Sequence, residues 1–73
     1  MPLTMVKAGE SCIISRIGGK EETKRFLENL GFITGEEVTV ISENGGNLIV
    51  NVKESRVAID RNMANKIIVG VNR

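Results

Sequence analysis

Short runs of β-branched residues, separated by glycine-containing turns, constrain the fold of this chain more than any other feature. Ile and Val dominate its apolar residues, and both favour strands because their branched Cβ atoms pack well on a pleated surface. The runs end at breakers such as Gly18-Gly19 and the sequence ENGG at 43–46, where Asn and Gly tolerate positive φ. The pattern predicts five strands, over residues 11–17, 37–42, 47–53, 56–59 and 67–71.

One helix interrupts this strand pattern, over residues 21–30 with the sequence EETKRFLENL. Two glutamates lie in its first turn, where the helix dipole favours negative charge. Gly31 stands where a helix commonly ends in a left-handed residue. The apolar residues Phe26, Leu27 and Leu30 share one stripe of this helix.

Asp60 predicts a second, much shorter helical turn before the last strand, since its carboxylate can accept hydrogen bonds from backbone N–H groups as an N-cap. With the strands, this predicts a mainly β chain with a small, strongly bent sheet. The chain of 73 residues is interpreted as one domain, 1–73. Closure of the sheet into a barrel would remove strand edges that otherwise invite aggregation.

The sequence lacks the side chains that most catalytic sites need. It contains no His, the side chain best suited to proton transfer near neutral pH. Its one Cys, Cys12, stands beside Ile13 and Ile14 with no base nearby, so it is interpreted as a small buried apolar residue. No enzymatic activity is expected.

Metal and cofactor sites are not predicted either. Zinc and ferrous iron favour imidazole or thiolate ligands, and the chain offers one thiol and carboxylates without a recognisable ligand spacing. The glycine-containing segments lack the Lys-Ser/Thr spacing of a phosphate-binding loop. We expect no cofactor.

Charge and hydropathy limit the classes of partner and the cellular location that the sequence allows. Ten basic and nine acidic residues give a net charge of +1, and only two residues are aromatic, which disfavours binding of nucleic acid. No apolar run approaches the roughly 20 residues of a membrane span. One cysteine forms no intramolecular disulfide, which fits a reducing compartment. A cytoplasmic protein without membrane insertion is expected.

Three segments carry a resemblance to a known family. Residues 27–35 read Leu-x-x-Leu-Gly-Phe-x-x-Gly, and residues 57–69 read VAIDRNMANKIIV. The opening segment, residues 3–17, reads LTMVKAGESCIISRI and contains Leu3, Gly9 and Ile17. In this order and spacing they resemble the ferrous-iron transport protein A (FeoA) family over essentially the whole chain. One departure is Asp60, where family members commonly have a basic residue; Arg61 could replace it from the next position.

The resemblance implies an SH3-like barrel of about five strands, with a helix in the first connection and a short helical turn before the last strand. It also implies a cytoplasmic accessory protein that contacts FeoB, the membrane ferrous-iron transporter with a cytoplasmic GTPase domain. We expect such a protein to act through protein–protein contact. A strand edge left open would allow weak self-association.

The corner after the helix is the hypothesised contact surface. A buried apolar anchor with a polar rim is how small interfaces concentrate their binding energy. The anchor would consist of Leu30, Phe32 and Ile33, and the charged residues would be Lys24, Arg25 and Arg61. Core packing is the alternative: it is the expected role of Leu27 and Leu30, and for Phe32 both roles remain open.

Two other functions remain as alternatives. An SH3-like module could bind nucleic acid or the ribosome, but the segments 34–37 and 43–46 are acidic or neutral. A freestanding relative of the SH3-like C-terminal domain of iron-dependent repressors could assist metal sensing through carboxylates. Retention on a phosphate-rich column would favour the first, and amide shifts on titration with Fe(II) or Mn(II) the second.

Overall fold

The computed structural model describes residues 1–71 as five antiparallel strands with two α-helices and one short 3-10 helix. The strands are β1 (Ser11–Ile17), β2 (Glu37–Asn44), β3 (Asn47–Val52), β4 (Ser55–Asp60) and β5 (Ile67–Val71). The helices are α1 (Glu21–Asn29) and α2 (Arg61–Ala64), and the 3-10 helix is Leu3–Met5. The predicted mainly β class, the early helix and the short helical turn are confirmed.

The strands form one sheet in the order β4-β3-β2-β1-β5. The register shifts between Ile14 and Arg16 in β1 and between Val40 and Ser42 in β2, and such bulges bend a sheet and increase its twist. The sheet curls without closing, so β4 and β5 are its edges. The edge at β5 is partly paired, because the Val69 N–H donates to the Met1 carbonyl oxygen at 2.7 Å.

The core is entirely apolar within the described residues. Alternate residues of the strands point inwards, and the two connections that contain α1 and α2 add Leu27, Phe32 and Ala64 to the same cluster. Cys12 is buried as predicted, with 2% of its surface exposed. The largest fully buried side chains are Phe32, Leu3, Ile14, Leu27 and Ile67.

Two turns join β2, β3 and β4 into a meander. Gly45 and Gly46 form the first turn, as predicted, and both have positive φ. The second turn consists of Lys53 and Glu54, with φ values of 49° and 64°. A two-residue hairpin turn with both residues at positive φ matches the strand twist, and here it forms without glycine or asparagine.

Asp60 caps α2 as predicted, since its Oδ1 accepts a hydrogen bond from the Met63 N–H at 2.8 Å. Phe26 shares the apolar stripe of α1 with Leu27 but is 50% exposed, whereas Leu27 is fully buried. Within residues 1–71, no helix is long and apolar enough to cross a bilayer.

Candidate functional site

The corner between α1 and β2 is built by a helix-terminating motif at Gly31. The Phe32 N–H donates to the Leu27 carbonyl at 3.0 Å, and the Gly31 N–H donates to the Glu28 carbonyl at 2.9 Å. These two bonds define a Schellman motif, which needs a left-handed residue after the C-cap. Gly31 supplies that residue with φ of +107°, so the chain reverses abruptly after Leu30.

The corner is then fastened to the first strand. The Gly35 N–H donates to the Ile14 carbonyl at 2.8 Å, and the Ile14 N–H donates to the Glu36 carbonyl at 3.0 Å. A turn closed by the Glu36 N–H and the Ile33 carbonyl, 2.9 Å apart, lies between these contacts. The backbone of the corner is therefore held by hydrogen bonds on both sides of Ile33.

Phe32 lies on the inner side of this corner, with none of its surface exposed. The same Schellman motif that reverses the chain commonly brings the residues at its two ends into apolar contact, and here both Leu27 and Phe32 are fully buried. Of the two roles left open for Phe32, the structure gives it the core. Its ring offers no surface to a partner in this conformation.

The outer side of the corner carries three apolar side chains, Phe26, Leu30 and Ile33, which we call the corner patch. Phe26 is 50% exposed and Ile33 is 39% exposed, whereas Leu30 is half-buried against the core. Phe26 and Leu30 are one helical turn apart and share a face of α1. The patch thus begins on the helix and continues into the loop that the Schellman motif positions.

The charged residues predicted for this surface are distributed unevenly around it. Arg25 is exposed on the side of α1 that faces away from the core, and Lys24 is half-buried on the opposite flank of the buried stripe from Phe26. Lys53, in the β3–β4 turn, also approaches the corner, since its Cδ lies 3.7 Å from the position that a Cβ on Gly31 would take.

Arg61 lies far from the corner patch. The Arg61 guanidinium forms an ion pair with Glu43. The Arg61 backbone N–H donates to the Gly46 carbonyl at 3.1 Å, so Arg61 lies beside the start of β3. Gly31 faces Val52 at the other end of the same strand, which spans roughly 17 Å. The structure therefore does not bring Arg61 together with Leu30 and Ile33.

The one thiol of the chain, Cys12, is not activated as a nucleophile. Burial raises the pKa of the Cys12 thiol above its ordinary value, and the charges of Glu10 and Glu37 raise that pKa further, which keeps the thiol protonated at neutral pH. Within residues 1–71, no three His, Cys, Asp or Glu side chains come together in a way that could hold a metal ion. What the corner offers is apolar surface on a rigid backbone.

Sequence reasoning missed two residues of this surface, Phe26 and Lys53. In a nine-residue helix, the apolar stripe is too short to show which of two adjacent residues, Phe26 or Leu27, faces the core. The position of Lys53 depends on a hairpin turn that no glycine marks. No signal within the helix separates the two, because Phe26 and Leu27 each stand at helical spacing from Leu30.

Comparison with known proteins supports the architecture. A family model described as the FeoA domain matches residues 1–71. A protein of Methanocaldococcus jannaschii named "Putative Fe(2+) transport protein A" is 34% identical over 68 residues, which cover 93% of this chain and 83% of that protein.

Solved structures agree with the sequence comparison. The crystal structure of an iron uptake regulatory protein (FeoA) matches with a TM-score of 0.87 and 28% identity, covering 94% of this chain and 92% of the other. The zinc complex of Stenotrophomonas maltophilia FeoA, described as an SH3 domain protein, matches with a TM-score of 0.85 and 26% identity over 96% and 89% of the two chains. The predicted SH3-like fold is confirmed, and the chain belongs to the FeoA domain family.

Proposed function

We propose that this chain is a cytoplasmic, non-enzymatic accessory protein of ferrous-iron uptake, which docks on a membrane ferrous-iron transporter of the FeoB type and modulates it. The observation that carries the docking proposal is the corner patch. Phe26 is half exposed although the chain has only two aromatic residues with which to build its core. Family membership supports the connection with iron transport.

The chemistry of the patch fits a protein partner. An aromatic ring and two aliphatic side chains would lose their contact with water on docking, and apolar burial of this kind drives most protein association. Arg25 adjoins Phe26 in α1, and Lys53 approaches Gly31 in the corner. Both long side chains could pair with acidic groups of a partner, where charges affect the rate and the orientation of docking more than the affinity.

The rigidity of the corner also favours recognition. Hydrogen bonds to Leu27, Glu28 and Ile14 hold the backbone on either side of the patch, so little conformational entropy is lost when a partner binds. Preorganised surfaces of this kind gain affinity because the cost of ordering them has already been met during folding.

The test is a binding titration with the cytoplasmic domain of a FeoB-type transporter. Phe26→Ser and Ile33→Ser remove the two most exposed members of the patch, and each is expected to weaken binding about tenfold or more, because anchor residues of an interface contribute at least about 1.4 kcal/mol each. Met5→Ser is the matched control, since Met5 is 67% exposed in the 3-10 helix and outside the patch. It is expected to bind like the unmodified chain.

Circular dichroism and thermal unfolding must show that each variant is folded. Binding that is weakened equally by Met5→Ser and Phe26→Ser would contradict a specific role for the corner patch. Unchanged binding in all variants would move the contact to another surface, and absence of binding by the unmodified chain would remove the proposed partner.

A further inference from the structure

The two edges of the sheet are treated differently. Beyond β5, the N-terminal residues supply an isolated bridge between Pro2 and Ile68 and the bond from Val69 to Met1. Within residues 1–71, β4 has only β3 as a strand neighbour, so one of its sides presents backbone groups that no strand pairs. Such an edge is a ready template for another strand.

The register of the β3–β4 hairpin identifies which backbone groups face outwards. In a two-residue hairpin the residues that flank the turn form a hydrogen-bonded pair, here Val52 and Ser55. The bonded positions then alternate along β4, which agrees with the bond from the Arg61 N–H to the Gly46 carbonyl. The residues between them, whose backbone groups point away from β3, are Arg56, Ala58 and Asp60.

The side chains of these same residues form a self-complementary pattern. Arg56, Ala58 and Asp60 share the exposed face of β4. In an antiparallel pair of two β4 strands related by a two-fold axis through Ala58, each Arg56 lies directly opposite the other copy's Asp60. A small residue occupies the axis, and opposite charges that face each other across strands stabilise the pair.

Alternative registers lack this match. An axis through residue 57 would place Asp60 opposite Glu54 of the second copy, and an axis through residue 59 would leave Arg56 opposite Asn62. An axis between two residues would place an inward side chain opposite an outward one, which the pleat forbids. Charge and pleat together select the register centred on Ala58.

We propose that a second copy of this chain pairs with the open edge through an antiparallel β4–β4 contact centred on Ala58, which joins two five-stranded sheets into one of ten strands. The contact is weak, because a single strand edge buries much less than the area of a stable interface. In this register the N–H groups of Ala58 and Asp60 donate to the Ala58 and Arg56 carbonyls of the second copy.

A charge exchange tests this register directly. Arg56→Glu alone places acidic side chains opposite each other at both ends of the contact, and Asp60→Lys alone does the same with basic side chains. An equimolar mixture of the two variants restores both opposite-charge pairs in the heterodimer. Lys7→Glu is the matched control, because it makes the same charge change on an exposed residue outside β4.

Sedimentation equilibrium at protein concentrations up to the order of 1 mM measures the association. We expect each single variant to associate about tenfold more weakly than the unmodified chain, the mixture to recover the unmodified affinity, and Lys7→Glu to leave it unchanged. Asp60→Lys also removes the cap of α2, and the mixture controls for this effect because the substitution is present in it too.

Amide hydrogen exchange gives a second readout that does not depend on substitution. The N–H groups of Ala58 and Asp60 are expected to exchange more slowly as the concentration rises, whereas those of Val57 and Ile59, which are bonded to β3, change little. Any of three results would overturn the proposal. These are a monomer at the highest concentration, no recovery of the affinity in the mixture, and equal effects of Arg56→Glu and Lys7→Glu on association. Phe26→Ser should associate normally, which separates this contact from the corner patch.

Discussion

The two phenylalanines of this chain lie on opposite sides of one corner and have opposite fates. Phe32 is fully buried on the inner side, while Phe26, six residues earlier on α1, is half exposed on the outer side. The same Schellman motif produces both results, because it turns the chain so that Phe32 meets the core beside Leu27.

The comparison separates the side of the corner that packs in the core from the side that, in the function proposed above, contacts a partner. Removing the inner side chain should affect folding, and removing the outer side chain should affect binding. The difference between these two effects can be measured: three experiments test it in order of decreasing expected effect, and a fourth tests the burial of the core itself.

Phe32→Ala tests most directly whether the inner side of the corner stabilises the fold. Deleting a buried aromatic ring costs about 3–5 kcal/mol, which is as much as the whole net stability of about 3–5 kcal/mol that a core of this size usually supplies. We expect the variant to be largely unfolded in a urea titration. Phe32→Leu, which keeps most of the volume, should lose only about 1–1.5 kcal/mol and provides a folded variant for quantitative comparison. A stable Phe32→Ala would show that the inner side of the corner contributes little to the core.

Gly31→Ala tests the residue whose left-handed conformation separates the inner side of the corner from the outer side. An alanine at φ of +107° is strained by about 1–3 kcal/mol, although a Cβ there would meet Val52 only at ordinary contact distance. Gly18→Ala is the control, because Gly18 does not have positive φ. Equal loss of unfolding free energy in both variants would mean that the left-handed conformation is not what fixes the corner.

Phe26→Ala tests the outer side. We expect a change in unfolding free energy within about 0.5 kcal/mol, as for surface substitutions away from special features, measured in the same urea titration as Phe32→Ala. A loss comparable with that of Phe32→Leu would place Phe26 in the stabilising core and break the comparison. It would also remove the main argument for the corner patch as a docking surface.

Titration of the Cys12 thiol gives the smallest expected effect on unfolding free energy, and it tests whether the core is shielded from water. The pKa of its thiol is raised above the ordinary value of 9.0, first by burial, so the unfolded chain loses the thiol proton at lower pH than the folded chain. The stabilisation that results from this difference in the Cys12 pKa is complete below pH 9.0 and is lost as the pH rises through the folded-state pKa. Urea titrations from about pH 8 to about pH 11 should therefore show a steeper decline for the unmodified chain than for Cys12→Ala. Parallel declines would contradict a buried, protonated thiol.

Much of the fold follows from local sequence. Glycines at 45 and 46 place a hairpin turn, Asp60 starts α2, and the Ile and Val runs give strands whose limits are within two residues of the observed ones. These features depend on backbone conformation and on interactions within a few residues, so a single sequence is sufficient to predict them.

The exposed surface was harder to predict, because it depends on which way each element rotates. The rotation of α1 is set by the contact of Leu27 and Phe32 with the sheet, so nothing within the helix distinguishes Phe26 from Leu27. The separation of Arg61 from the corner likewise depends on its place at the opposite end of β3. The hairpin turn at Lys53 and Glu54 has no local signal, since strand pairing imposes the positive φ values on two ordinary residues.

The order of strands in the sheet has a consequence for how the chain folds. Strands β2, β3 and β4 are sequential neighbours, so they can pair through short turns at little cost in loop entropy. The ladder between β1 and β5 joins Ile17 to Ile67 and Cys12 to Val71, and it closes a loop of about fifty residues or more. We therefore expect the meander to form early and the β1–β5 ladder to close late, with substitutions in β5 accelerating unfolding more than they slow folding.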